Sequence, residues 1–252
     1  KLDEQDILLS IFSSVEPNPS VETVENIAAQ YKIDSCDCFL VIGGGSPMDS
    51  AKAIALLAVS DIERKNLFDG NIGNKALPMI HIPTTAGTGS ETTLAAVITD
   101  ADTHHKYAIN DFSLIPHYAV LEPEVTVGLP AQLTATTGMD ALTHAVEAYT
   151  SKKATPYTDI FAMSAIKRVF AYLPAAYENG ADLEARTQMA LAAYEAGVCI
   201  NNASVTLVHG MSRPIGALFH VPHGISNAML ISKCLAFAED GCISRFAAIG
   251  RA

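Results

Sequence analysis

Apolar positions recur at helical spacing over residues 21–32, where Val21, Val24, Ile27, Ala28 and Tyr31 share one face. The pattern then changes. CFLVI (38–42) is a short unbroken apolar run that ends in Gly43-Gly44-Gly45 and predicts a buried strand. Residues 47–59 return to helical spacing, with Pro47 suited to the first turn. MIHIP (79–83) predicts a second strand that runs into TTAGTGSETT, and AAVITD (95–100) a third that pairs as a hairpin with HHKYAI (104–109). Helix, strand, glycine loop, helix, strand is the order of a parallel, doubly wound sheet. Beyond Pro130 the strand signals fade and Ala-rich helical stretches follow at 131–150, 155–172, 183–200, 203–212 and 223–239. The fold class expected is therefore α/β plus all-α: an α/β domain over 1–129 and a helical domain over 130–252. Pro17-Asn18-Pro19 and the Gly70–Asn74 stretch predict loops.

Composition narrows the function classes. Hydrophobic residues make up 49% of the 252, enough to fill one large core or two smaller ones, and charged residues only 17%. The net charge of −11 with no dense Lys/Arg cluster argues against a nucleic-acid partner. No apolar run approaches the length of a membrane span, and no secretory signal is visible, so a cytoplasmic protein is expected. Five cysteines without zinc-ribbon spacing predict reduced, mostly buried thiols.

Three segments carry candidate chemistry. Gly43-Gly44-Gly45-Ser46 follows a strand and opens a helix containing Asp49 and Lys52, where glycines admit a pyrophosphate close to the backbone and a helix N-terminus supplies N–H donors. A plain turn fits the same string. The loop Thr84 to Glu91 follows the next strand in the same way, with Thr84, Thr85 and Thr88 at a strand's C-terminal end; the alternative is a turn with Ser90 or Thr88 as helix cap. In the helical half, Asp140 and His144 stand four residues apart, one turn along a helix face, and both can reach one ion. His209 and His223 flank Pro214 and Pro222, which should break the segment, leaving His209 near the end of one helix and His223 at the start of another. Three imidazoles and a carboxylate suit Fe²⁺ or Zn²⁺ with a position open for substrate oxygen. His220 reads better as an ordinary pocket-rim histidine than as a further ligand.

These strings together resemble the iron-containing (group III) alcohol dehydrogenase family: PNPS (17–20), GGGSPMDSAKAIA (43–55), IPTTAGTGSE (82–91), GMDALTHAVEAY (138–149) and LVHGMSRPIGALFHVPHGISNAML (207–230). The resemblance implies a nucleotide-binding α/β domain followed by a helical metal domain, with metal and nicotinamide in the cleft between them. It implies Asp140, His144, His209 and His223 as metal ligands. Gly44, Gly45 and Ser46, with Asp49 beside them, fall on the pyrophosphate loop, and Asn18, Thr84, Thr85, Thr88 and Lys106 on cofactor-contacting positions. The expected cofactors are Fe²⁺ or Zn²⁺ with NAD or NADP, the partner a short-chain alcohol or aldehyde, and the assembly a homodimer or larger. The family's first strand and last helices are expected to be missing from the chain. Many members carry histidine four residues after the His209 position; here Arg213 stands there, which cannot shuttle a proton but could anchor an anionic substrate tail. His220 or a water would then carry the proton. Two rival readings share the fold: dehydroquinate-synthase-like chemistry on zinc and transient NAD, and a non-catalytic metal- and nucleotide-binding subunit.

Overall fold

The computed structural model describes residues 7–34, 36–59, 76–100, 106–219 and 221–252. The expected Gly70–Asn74 loop, the start of the HHKYAI segment and His220 lie outside these residues.

The described chain packs as two compact units that interleave in sequence: Lys1–Ile82 with Leu94–Val120, and Pro83–Thr93 with Leu121–Ala252. Composition alone places a single change near residue 129. The threonine-rich segment 83–93 nevertheless packs with the helices of the second unit, because its glycines allow a close approach to a helix, described below.

In the first unit, α1 (Val21–Asp34) presents Val21, Val24, Ile27 and Ala28 to the core, as the spacing predicts. They meet Ile54 and Leu56 of α2 (Gly45–Leu57), Ala96 and Ile98 of β3 (Ala95–Thr99) and Ile109 of β4 (Lys106–Asn110). β3 and β4 form the expected antiparallel pair, Thr99 facing Lys106 and Ala95 facing Asn110. A second sheet runs in the order β1 (Phe39–Gly43), β2 (Met79–Pro83), β5 (Tyr118–Ala119), with β2 and β5 parallel. The expectation of a buried β1 holds only in part. Val41 packs on Met48 and Ala51 of α2, whereas Leu40 and Ile42 are exposed, since side chains alternate and α2 covers one face.

The second unit is helical: α3 (Ala131–Thr150), α4 (Pro156–Glu178), α5 (Leu183–Asn202), α6 (Leu207–Phe219), α7 (His223–Ala238) and α8 (Ile243–Ile249). Ala141, Ala145, Ala165, Ala192, Ala193 and Ala196 are all buried in one cluster with Leu142, Val146, Ile166, Val169 and Met189, so small side chains let α3, α4 and α5 approach closely. Thr155 and Thr158 form a reciprocal cap at the start of α4. α6 departs from expectation: it begins at Leu207 and runs through Pro214, so His209 lies in its first turn instead of near the end of a helix. The proline removes one intrahelical bond, and Gly210, whose carbonyl loses that donor, is exposed to solvent. No described helix is long and apolar enough to cross a membrane. The five thiols are free; Cys199 and Cys234 are buried, while Cys36 and Cys242 are partly exposed and Cys38 is exposed, so burial is less general than expected.

Candidate metal centre

α3 carries the site. Its residues 140, 144 and 147 advance by four and then three positions, close to two full turns, so Asp140, His144 and Glu147 point the same way. α6 brings His209 and α7 brings His223 from its first residue. One donor atom from each of Asp140, His144, His209 and His223 lies within 4.8 Å of the others. From Asp140 Oδ1 the Nε2 atoms of His144, His209 and His223 stand at 3.8, 3.5 and 3.4 Å. A four-coordinate ion bonded at about 2.1 Å has donor–donor edges of about 3.4 Å, so the three edges that meet at Asp140 are already close to what such an ion requires.

The electrostatics suit a cation. Asp140, His144 and His209 are buried, whereas the His223 side chain is 42% exposed and marks the open side. The rings of His144 and His209 stack at 4.5 Å with a 14° tilt, a poor arrangement for two protonated imidazoles. Burial pushes His144 down to about 4 against the pull of Asp140, with the neighbouring imidazoles adding to the lowering, so it stays neutral. Burial opposes ionisation of Asp140, but the imidazoles, His144 foremost, hold its carboxyl well below the usual range. His209 moves the other way: burial would lower it, yet Asp140 and Glu147 together raise it. The two buried carboxylates thus favour a positive charge at this spot, a proton on His209 or a divalent ion in its place.

Sequence reasoning missed two members of this cluster. Glu147 accepts hydrogen bonds from Thr206 Oγ1 and the Val208 amide, both at 2.7 Å, and pairs with His209 Nδ1. Asn227 is fully buried beside the quartet and donates to Asp140 Oδ1 at 2.7 Å. Both signals were present as helical spacing: His144-x2-Glu147 on α3 and His223-x3-Asn227 on α7 repeat the logic that singled out Asp140 and His144.

The predicted nucleotide residues fall in two groups, one in each unit. In the first unit, Lys106 Nζ donates to Asn18 Oδ1 at 2.7 Å, and the Asn18 amide donates to Ser46 Oγ at 3.3 Å. Asn18 adopts φ 58°, a left-handed conformation that asparagine tolerates better than most residues. Burial lowers the Lys106 ammonium. Gly44 caps α2 without a side-chain bond, leaving the first N–H groups of that helix to an outside acceptor. Asp49 accepts from the Val97 amide at 3.0 Å and thereby ties α2 to β3. In the second unit, Thr84, Thr85 and Thr88 lie on the loop after β2; the buried Thr85 hydroxyl has no partner, and Thr88 Oγ1 accepts from the Ser90 amide at 3.3 Å. Arg213 is exposed, one turn beyond His209 on α6.

Residues 134–252 match the C-terminal part of the Fe-containing alcohol dehydrogenase family, and residues 1–123 match iron-containing alcohol dehydrogenase. The chain belongs to this family. It is 44% identical over 243 residues to the NAD-dependent methanol dehydrogenase of Bacillus methanolicus, an alignment covering 96% of this chain and 64% of that enzyme. The crystal structure of a 1,3-propanediol oxidoreductase superposes with a TM-score of 0.96 at 39% identity, covering 99% of this chain and 66% of the other. Sulfoacetaldehyde reductase from Bifidobacterium kashiwanohense, solved with NAD⁺, superposes at 0.85 with 33% identity over 91% of this chain and 62% of that one. The chain thus spans less than two thirds of the length of the curated relatives it matches. The α/β plus helical architecture is the fold of this family.

Proposed function

We propose that this chain forms the nucleotide- and metal-binding part of an NAD(P)-linked alcohol dehydrogenase or aldehyde reductase acting on short-chain substrates. The convergence of Asp140, His144, His209 and His223 carries the reading, because their donor spacing and charge fit one Fe²⁺ or Zn²⁺. Bound together, the cation would supply Lewis acidity that lowers the pKa of an alcohol hydroxyl, and the nicotinamide would accept the hydride. The protein's part is positional. His223 leaves one side of the quartet open to substrate, the buried His144 and His209 exclude water from the other, and Glu147 keeps His209 in the tautomer whose Nε2 faces the ion. In the first unit, Gly44, Gly45 and Ser46, with Asn18 and Lys106, would hold the dinucleotide's phosphates and ribose.

The exposed Arg213 supports a preference for substrates with an anionic tail, and sulfoacetaldehyde, the substrate named for one structural relative, is an aldehyde of that kind. Anaerobic purification with elemental analysis, followed by an alcohol panel with NAD and with NADP, tests the whole reading. Activity is expected to vanish on chelation and to return better with Fe²⁺ than with Zn²⁺. Full activity in metal-free protein would overturn it. Net accumulation of NADH separates a dehydrogenase from a lyase that returns its cofactor unchanged. Arg213→His is expected to shift preference from ω-hydroxy acids toward ethanol-like alcohols, and unchanged preference rejects the anchor.

A further inference from the structure

Asn227 sits on α7 one turn after His223, with no exposed surface. Its Nδ2 lies 2.7 Å from Asp140 Oδ1 and 3.2 Å from both His209 Nε2 and His223 Nε2. One amide nitrogen therefore meets three of the four donor atoms, and those three come from α3, α6 and α7. A carboxamide nitrogen has two hydrogens, shared here among three neighbours, and no lone pair to offer, so each neighbour meets it as an acceptor. For the histidines this fixes the form with a bare Nε2 and the proton on Nδ1. At His209 the same form is demanded independently, because Nδ1 faces the Glu147 carboxylate. Turning the carboxamide over would set its oxygen against the Asp140 oxygen, a contact between two acceptors. The orientation with Nδ2 inward is the one the charges require, and it leaves Oδ1 buried without a hydrogen-bond partner.

We propose that Asn227 is a positioning residue of the metal centre: its carboxamide aims the Asp140 carboxylate and keeps the donors of three helices converged, with bare lone pairs, before an ion arrives. The role follows from counting lone pairs. An imidazole Nε2 has one, which an ion would take over from the amide. The Asp140 oxygen has two, so its shorter bond to Asn227 is compatible with holding an ion at the same time.

The proposal rests on the metal reading of the quartet, and Co²⁺ titration of the unmutated protein tests that reading separately: no Co²⁺ binding there defeats the quartet itself. Given binding, Asn227→Leu is expected to weaken Co²⁺ affinity by about 10–100-fold while the visible spectrum at saturation keeps its wild-type bands, since four donors remain. Asn227→Asp keeps the shape but replaces the donor with a second carboxylate. Its chelator-treated form should melt well below wild type, and Co²⁺ should raise its Tm by more than it raises the wild-type Tm. Affinity within twofold of wild type in the Leu variant, or equal Tm losses with and without Co²⁺ in the Asp variant, overturns the proposal. If neither variant folds, ¹⁵N spectra of unmutated protein decide. The Asn227 side-chain amide should exchange slowly in chelator-treated protein and shift on Zn²⁺ addition; a fast-exchanging amide blind to Zn²⁺ refutes it.

Discussion

His209 Nδ1 and the Glu147 carboxylate face each other across α6 and α3, and Glu147 takes two further hydrogen bonds from Thr206 and Val208 at the start of α6. One buried acid thus fixes both the position of that helix and the tautomer of the imidazole it presents. Burial opposes its ionisation, but the His209 contact and the hydrogen bonds at Thr206 together hold its carboxyl below the usual range. Glu147→Gln turns part of the acceptor into a donor that faces N–H and O–H groups. Metal affinity, measured by competition with a chromophoric chelator, is expected to fall by about 10–100-fold. An unchanged affinity would mean that His209 is oriented by packing alone.

Gly89 and Gly197 form a backbone contact that explains why the threonine loop belongs with the helices. Gly89 has φ 63°, and a Cβ there would stand 2.6 Å from Gly197 Cα. A Cβ on Gly197 would lie 2.2 Å from Thr92 Oγ1 and 2.7 Å from Gly89 O. Gly197→Ala should therefore push the loop off α5 and cost about 2 kcal/mol or more, read from urea denaturation. A cost below about 0.5 kcal/mol would show that the loop shifts freely.

How much of this was legible in the sequence depended on whether the signal was local. The face of Val21, Val24 and Ile27 and the Asp140–His144 pair are repeats within one helix, and both were readable. The two-residue β5 was missed because its pairing with Ile80 and His81 depends on a partner far along the chain. α6 runs on where its sequence predicts a break, because Pro214 removes a bond whose carbonyl, on the exposed Gly210, tolerates the loss. The membership of residues 83–93 was hidden for a related reason: a glycine packed on a glycine 108 positions later leaves no periodic trace. Glu147 and Asn227 were readable at helical spacing, but only from ligands already identified.

Arg186 is another buried charge, and the partners of its guanidinium are neutral. It lies on α5 at 3% exposure and donates to Gly180 O at 2.9 Å, Thr134 Oγ1 at 2.7 Å and Leu129 O at 3.3 Å. Three arms of the guanidinium thus tie the loop before α3, the first turns of α3 and the α4–α5 turn together. Lysine keeps the charge but has no fork to span three acceptors. Arg186→Lys is expected to destabilise by about 3 kcal/mol through lost and orphaned hydrogen bonds. A denaturation midpoint equal to wild type would mean that water or a rearranged loop replaces them.

His81 gives the first unit a pH dependence of its own. It sits on β2 with no exposed surface, and neither ring nitrogen has a hydrogen-bond partner. Burial, reinforced by the Lys52 ammonium, pushes it from 6.5 down to about 3. The folded protein therefore holds this imidazole neutral at pH values where the unfolded chain protonates it. Since the unfolded state then binds the extra proton, stability is fully present above about pH 6.5 and falls as pH drops toward 3, by up to about 1.4 kcal/mol per pH unit. His81→Leu removes both the titration and the unpartnered nitrogens. The variant is expected to match or exceed wild-type stability at pH 7 and to gain on it steadily between pH 6 and 4. Parallel pH profiles for the two proteins would show that His81 finds a proton acceptor in the fold.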